Sequence, residues 1–138
     1  MDITTKQTVL IIDDDQNEVM LTKMVISEIN PEIGMDVAFS GEAGLTLLRS
    51  GRPLPELILL DLKMRRLSGI DVLHHIRLDD RLKHLPVIIV TNSALESDKQ
   101  KSIEAGADDY LHKAFDIERF SGDIKSLLER YLVKVGEN

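Results

Sequence analysis

The chain has 138 residues, a formal net charge of −7 from 24 acidic and 17 basic residues, and no cysteine. Disulfides and thiolate metal sites are thereby excluded, and the length suits one domain, since single domains run to roughly 100–150 residues. The basic residues are scattered (Arg65 and Arg66, Arg77 and Arg81, Lys99 and Lys101), which argues against nucleic acid as a partner. The N-terminal MDITTKQTVL has no basic-then-apolar leader pattern, and no apolar run approaches the roughly 20 residues of a bilayer span, so no membrane association and a cytoplasmic location are expected.

In chain order, short apolar runs alternate with longer helical patterns. The first strand is expected at Val9–Ile12, and Asp15-Gln16-Asn17-Glu18 has the spacing of a capping box opening a helix to about Ile29. Asn30-Pro31 ends that helix, because the residue before proline disfavours the α region. A second strand follows at Met35–Phe39, then a helix over Gly41–Arg49 capped by Ser40 and closed by Gly51. The third strand, Leu57–Leu60, leads to a helix over Gly69–Leu78 with Ser68 as cap. The fourth strand, Val87–Val90, precedes a second capping-box spacing, Ser97-Asp98-Lys99-Gln100, whose helix ends at Gly106. A fifth strand at Tyr110–Leu111 and a helix from the Asp116 cap to about Val133 complete the pattern. Three of the runs are continuously apolar, as strands covered on both faces are. Five βα repeats with right-handed crossovers predict an α/β doubly wound fold, a five-stranded parallel sheet with helices on both faces.

In such a sheet ligands bind beyond the carboxyl ends of the strands. Those ends carry Asp13-Asp14-Asp15, Asp61, Thr91 and Lys113. Clustered carboxylates repel, so they need a cation or a proton. Mg²⁺ suits one or two carboxylates with water and a substrate phosphate. An Asp carboxylate there could attack phosphorus, with Thr91 and Lys113 supplying a hydrogen bond and a positive charge to the transferring oxygens. Taken singly, each residue has a plainer reading: a turn and helix cap for Asp13–Asp15, a loop residue for Asp61, a turn residue for Thr91, an exposed side chain for Lys113. The specificity lies in the ordered set.

The stretches VLIIDDD (Val9–Asp15), LILLDLKM with SG (Leu57–Gly69), PVIIVTNS (Pro86–Ser93) and GADDYLHK (Gly106–Lys113) together resemble the receiver domains of two-component response regulators. The resemblance runs from Thr8 to about Tyr131 and implies the flavodoxin-like strand order 2-1-3-4-5. It implies Asp61 as phospho-acceptor, and Asp13, Asp14, Asp61 and the backbone carbonyl of Lys63 as ligands of Mg²⁺, for which Mn²⁺ could substitute. It makes Thr91 the switch hydroxyl, Lys113 the lysine that pairs with the phosphoryl group, and Tyr110 the aromatic rotamer switch. The implied donor is a sensor histidine kinase or a histidine phosphotransfer protein. The implied output face is roughly Ser97–Ala105, Asp108–His112 and Asp116–Val133, which could also support a homodimer in place of a monomer. The chain resembles more diffusely the stand-alone regulators that serve bacteriophytochrome-type kinases.

On this reading, residues 1–138 form a single receiver domain (core about 8–133) with no effector domain, a phospho-accepting switch rather than an enzyme. The alternatives are a phosphorelay carrier, a Mg²⁺-dependent aspartyl-phosphate phosphatase, and a pseudo-receiver that binds without being phosphorylated, against which the presence of all five site residues argues. For the phosphatase, Asp13-Asp14-Asp15-Gln16-Asn17 lacks the Thr or Val that follows the nucleophile in such enzymes. Three departures from the family pattern stand out. Ala114 replaces the proline after Lys113, so a trans Lys113–Ala114 bond is expected, because a cis non-proline bond costs about 2.5–4 kcal/mol. Arg65 replaces a loop proline and gives the pocket a basic rim with Lys63 and Arg66, a surface for the donor protein. Asn92 stands where small residues are common and is expected to narrow access to the phosphoryl group. The histidines at 74 and 75 do not make a metal pair, since adjacent helix positions do not face one another.

Overall fold

The computed structural model describes residues 7–113 and 116–132. Five strands, β1 (Thr8–Ile12), β2 (Gly34–Ala38), β3 (Leu57–Leu60), β4 (Val87–Thr91) and β5 (Asp109–His112), alternate with five helices, α1 (Gln16–Ile29), α2 (Gly41–Leu48), α3 (Gly69–Leu78), α4 (Glu96–Glu104) and α5 (Ile117–Tyr131). The sheet is parallel throughout, in the order β2-β1-β3-β4-β5.

The continuous apolar runs are explained by the two faces of the sheet. Leu10, Ile12, Ile58, Leu60, Val87 and Ile89 point to one side and pack with Leu45 and Leu48 of α2 and Val72, Leu73 and Ile76 of α3. Their neighbours Val9, Ile11, Leu57, Leu59, Ile88 and Val90 point the other way, against Val19, Val25 and Ile26 of α1 and Phe120, Ile124, Leu127 and Leu128 of α5. Because successive strand side chains alternate between faces, only a sheet buried on both sides makes every position apolar. Helix α4 is the exception: its buried residues are Asp98 and Ser102, so polar bonds rather than an apolar stripe seat it.

The element ends follow local chemistry. Ser68 caps α3 through a full capping box with Asp71. Asp15 caps α1 by accepting from the amides of Asn17 and Glu18, but the reciprocal half of the expected box is absent. The Asp15 amide instead donates to Asp13 Oδ1 at 3.0 Å, which leaves the Glu18 carboxylate free to turn elsewhere. The expected Ser97 cap of α4 is not the one observed. The helix begins at Glu96 behind Leu95, whose apolar side chain cannot cap, and Asp98 in the first turn accepts from the Ser93 hydroxyl. Strand β2 sits one residue earlier than expected and leaves Phe39 half exposed, while β5 is longer by a residue at each end. Arg49 is the C-cap of α2 rather than its last helical residue. Gly51 and Gly106, at φ +87° and +109°, take the left-handed conformation that glycine adopts without strain. The expectations for the Lys113–Ala114 bond and for a last helix reaching Val133 involve residues outside the described ones.

Candidate phosphoryl and metal site

The sheet register builds the site. Ile12 pairs with Leu60 and Leu60 with Ile89, so the residues after β1 and β3 emerge side by side. The ladder continues past the strand ends: the Asp13 amide donates to the Ala38 carbonyl (3.1 Å), the Asp61 amide to Ile12 (2.8 Å), and the Lys113 amide to Thr91 (2.8 Å). Rigid backbone therefore carries each functional side chain to one edge.

Asp13, Asp14 and Asp61 each offer a carboxylate oxygen within 4.8 Å of the others. Asp13 is 5 % and Asp61 9 % exposed. Burial, reinforced by the negative charges of Asp13, Glu18 and Asp14 and opposed by Lys113, pushes the Asp61 carboxyl up to about 7. Burial also raises Asp13, against the lowering effect of the Asp15 amide and Lys113. Three oxygen donors crowded into a desolvated corner, at least one reluctant to ionise alone, fit a hard divalent cation.

Helix α3 closes the base of the corner. A Cβ on Gly69 would lie 2.3 Å from the Asp61 carbonyl oxygen and 2.8 Å from Leu62 Cα, so the first turn of α3 touches the backbone of Asp61 directly.

Opposite the acids stands Lys113, whose side chain is 10 % exposed. Its Nζ donates to Asp13 Oδ2 at 3.1 Å and, in a short contact, to Glu18 Oε1. Burial works against the ammonium charge, but these carboxylates outweigh it and hold Lys113 above its ordinary pKa. The second Glu18 oxygen accepts from Asn92 Nδ2 at 2.7 Å. Thr91 ends β4, buried, with its Oγ1 accepting from the Ser93 amide at 3.2 Å.

Tyr110 is half-buried, and its hydroxyl donates to the Ser93 carbonyl at 3.0 Å. Burial raises its pKa. The Ser93 hydroxyl in turn donates to Asp98 Oδ2 (2.5 Å), which also pairs with Lys63 Nζ at 3.2 Å. These two partners hold the Asp98 carboxylate below its usual range.

The structure thus brings Asp13, Asp14, Asp61 and Lys113 together and sets Thr91 and Tyr110 on the two adjacent strands. The Lys63 side chain is directed to Asp98 on α4. Arg65 does more than line the rim: its amide donates to Asp14 Oδ2 (3.2 Å) and its Nε lies 3.7 Å from the same oxygen. An amide at that position is available only because the residue is not proline. All four histidines, 74, 75, 84 and 112, are exposed. Sequence reasoning missed Glu18 and Asp98 as partners of this site. Glu18 falls at a capping spacing, which supplied a sufficient local explanation, and its contacts with Lys113 and Asn92 lie far away in sequence; Asp98 bonds nearby Ser93 and, from the β3–α3 loop, Lys63.

Comparison with known proteins agrees with this geometry. Residues 9–125 match the model of the response regulator receiver domain. The chain is 32% identical over 122 residues to the polar-differentiation response regulator DivK of Brucella anthropi, covering 88% of this chain and 96% of DivK. It is 37% identical over 125 residues to RpaA of Synechocystis sp., a DNA-binding transcriptional regulator, covering 88% of this chain and 49% of RpaA. The chain spans about half the length of the first curated relatives it matches. Among solved structures, the Mn²⁺-bound form of the response regulator Rcp1 superposes with a TM-score of 0.78 at 25% identity, over 96% of this chain and 99% of that one. No described helix is long and apolar enough to cross a membrane. Fold, strand-end chemistry and similarity converge: the chain belongs to the response regulator receiver domain family and is a module of two-component signal transduction.

Proposed function

We propose that this chain is a Mg²⁺-dependent phosphorylation switch with Asp61 as the acceptor. The observation that carries the reading is the meeting of Asp13, Asp14 and Asp61 at one sheet edge with the buried Lys113 ammonium beside them. The donor is a phosphohistidine of a sensor kinase or phosphotransfer protein. An Asp61 carboxylate oxygen attacks phosphorus, the new O–P bond forms as the P–N bond breaks, and the electron pair and a proton go to the departing imidazole. Held by Asp13, Asp14, Asp61 and the Lys63 carbonyl, Mg²⁺ or Mn²⁺ would neutralise the acids and keep the acceptor ionised. The likeness to Rcp1, solved in a Mn²⁺-bound form, supports a divalent cation as the partner of these acids.

Lys113 and the Thr91 hydroxyl then meet the phosphoryl oxygens. In the structure the Thr91 hydroxyl accepts from the Ser93 amide, and the Ser93 carbonyl holds Tyr110. Moving Thr91 toward the phosphoryl group breaks the first of these bonds and frees Tyr110 to change rotamer. The signal therefore leaves through the β4–α4 loop to the face of α4, β5 and α5, which we assign to the downstream protein or a second copy of this chain. A ligand biases such a switch only through contacts that differ between its two states, and Thr91 and Lys113 supply them.

The test is mass spectrometry after incubation with acetyl phosphate. We expect the mass of one phosphoryl group to be gained with Mg²⁺, to be lost with a chelator, and to be absent from Asp61→Asn. Modification of Asp61→Asn at the wild-type level would overturn the assignment.

A further inference from the structure

Lys113 is engaged in the unphosphorylated protein, and its second partner is Glu18 on the first turn of α1. The Glu18 side chain is 29 % exposed, and both its oxygens are used: one by Lys113, the other by Asn92. Asn92 directly follows Thr91, so the Glu18 bridge joins the end of β4 to the start of α1 across the ammonium. Glu18, Asn92 and Lys113 line one cleft with Leu21, Thr22 and Phe120. The capping role that the sequence suggests for Glu18 is not filled, so local helix geometry does not account for where its carboxylate points.

We propose that Glu18 is a built-in competitor of the phosphoryl group, a positioning residue that occupies Lys113 until Asp61 is phosphorylated. This rests on the reading of Asp61 and Lys113 given above. The physical case has two parts. A carboxylate and a phosphoryl oxygen are both anionic acceptors for the same three ammonium donors, and charge-assisted bonds of this kind are among the strongest a protein makes. Glu18 also adds negative charge to a corner that must admit an anionic donor, and like charges at short range in a desolvated site repel strongly. Both effects act in one direction: they hold the switch off. Asp13 remains on Lys113 at 3.1 Å when Glu18 lets go, so the lysine keeps its place near the acceptor. Phosphorylation then transfers Lys113 from Glu18 to the phosphoryl oxygens, and Glu18 is left with Asn92. The same exchange loosens the tie between α1 and β4.

The experiment compares the full-length wild type with Glu18→Gln and Glu18→Ala at saturating Mg²⁺. It reads the affinity for beryllofluoride, a phosphoryl mimic, from the amide NMR shift of Thr91, and the rate of phosphorylation by acetyl phosphate from the mass spectrum. Thermal melts report whether each variant folds. We expect both variants to bind beryllofluoride about tenfold more tightly than the wild type and to be phosphorylated several-fold faster, as loss of one charged competitor implies. A role limited to packing or helix capping would change the melting temperature and leave both readouts alone. If the wild type responds to both reagents while the folded variants stay within about twofold of it, the Glu18 role is overturned and the Asp61 reading stands. If the wild type responds to neither, the Asp61 reading fails, and this role with it.

Discussion

Two cations mark opposite ends of the sheet, and they are held in opposite ways. Arg77, on α3, sits at the amino-terminal end of β4 and β5. Its Nε donates to the Gly106 carbonyl (2.9 Å), its Nη1 to the carbonyls of Lys83 (2.9 Å) and Leu85 (2.8 Å), and its Nη2 to Asp108 Oδ2 (2.9 Å). The same Asp108 oxygen accepts the Val87 amide, so the guanidinium staples the α3–β4 and α4–β5 loops to the start of β4. Among the described residues, the Lys113 ammonium, at the carboxyl-terminal end, meets only carboxylates, those of Asp13 and Glu18. Main-chain carbonyls have nowhere to go, whereas carboxylates can be reassigned to a metal and an ammonium to a phosphoryl group. One end of the fold is therefore fixed by its cation and the other is left exchangeable by its own.

The contrast is open to direct attack. Arg77→Ala should have the largest effect, a loss of about 3 kcal/mol in a urea melt, because several acceptors lose their donor at once. That loss should be the same with and without Mg²⁺. Lys113→Ala should cost less, on the order of 1–2 kcal/mol in metal-free protein, and Mg²⁺ should restore much of it by pairing the stranded carboxylates. A Mg²⁺-dependent Arg77→Ala defect, or a Mg²⁺-independent Lys113→Ala defect, would erase the distinction.

The acidity of Asp61 gives an intermediate effect. Its folded value, about 7, lies above the ordinary 3.8, so between these the native state binds a proton that the unfolded chain does not. Stability of metal-free protein should therefore fall as pH rises through that window and level off above it. Asp61→Asn should flatten the profile, and Mg²⁺ should stabilise the wild type more at pH 8 than at pH 5. A flat wild-type profile would show that the corner is better solvated than its burial indicates.

Smallest is Arg65→Ala. Its guanidinium is well exposed, so only a two- to threefold rise in Mg²⁺ affinity is expected, from removing a competitor at Asp14. Calorimetric titration at two salt concentrations would detect it, and an unchanged affinity would assign the tie to the Arg65 amide alone.

The fold was readable because each strand had to satisfy two apolar layers, which left long runs such as Leu57–Leu60 with no competing interpretation. The acids and Lys113 were readable because each stands at a strand end, where the rules for parallel sheets direct attention. What escaped was pairing. Nothing local to Glu18 names Lys113, and nothing near Arg77 names Gly106, since these contacts exist only after the crossovers have formed. Helix α4 was misread at its start for a different reason: Ser97 and Gln100 have the right spacing, but Asp98 bonds the Ser93 hydroxyl just before the helix and pairs with Lys63 across the site. Local propensity yields when a buried charge needs satisfaction.

The contact of Gly69 with the acceptor's main chain constrains any mutational survey of this protein. Even a methyl group there would press on the peptide that carries Asp61, with no flexible side chain to yield. Variants at that position should score as signalling-dead although they touch neither metal nor phosphate. A screen that reads only output would place Gly69 among the reactive residues, and only a parallel measurement of folding would reveal it as a spacer whose contribution is to be empty.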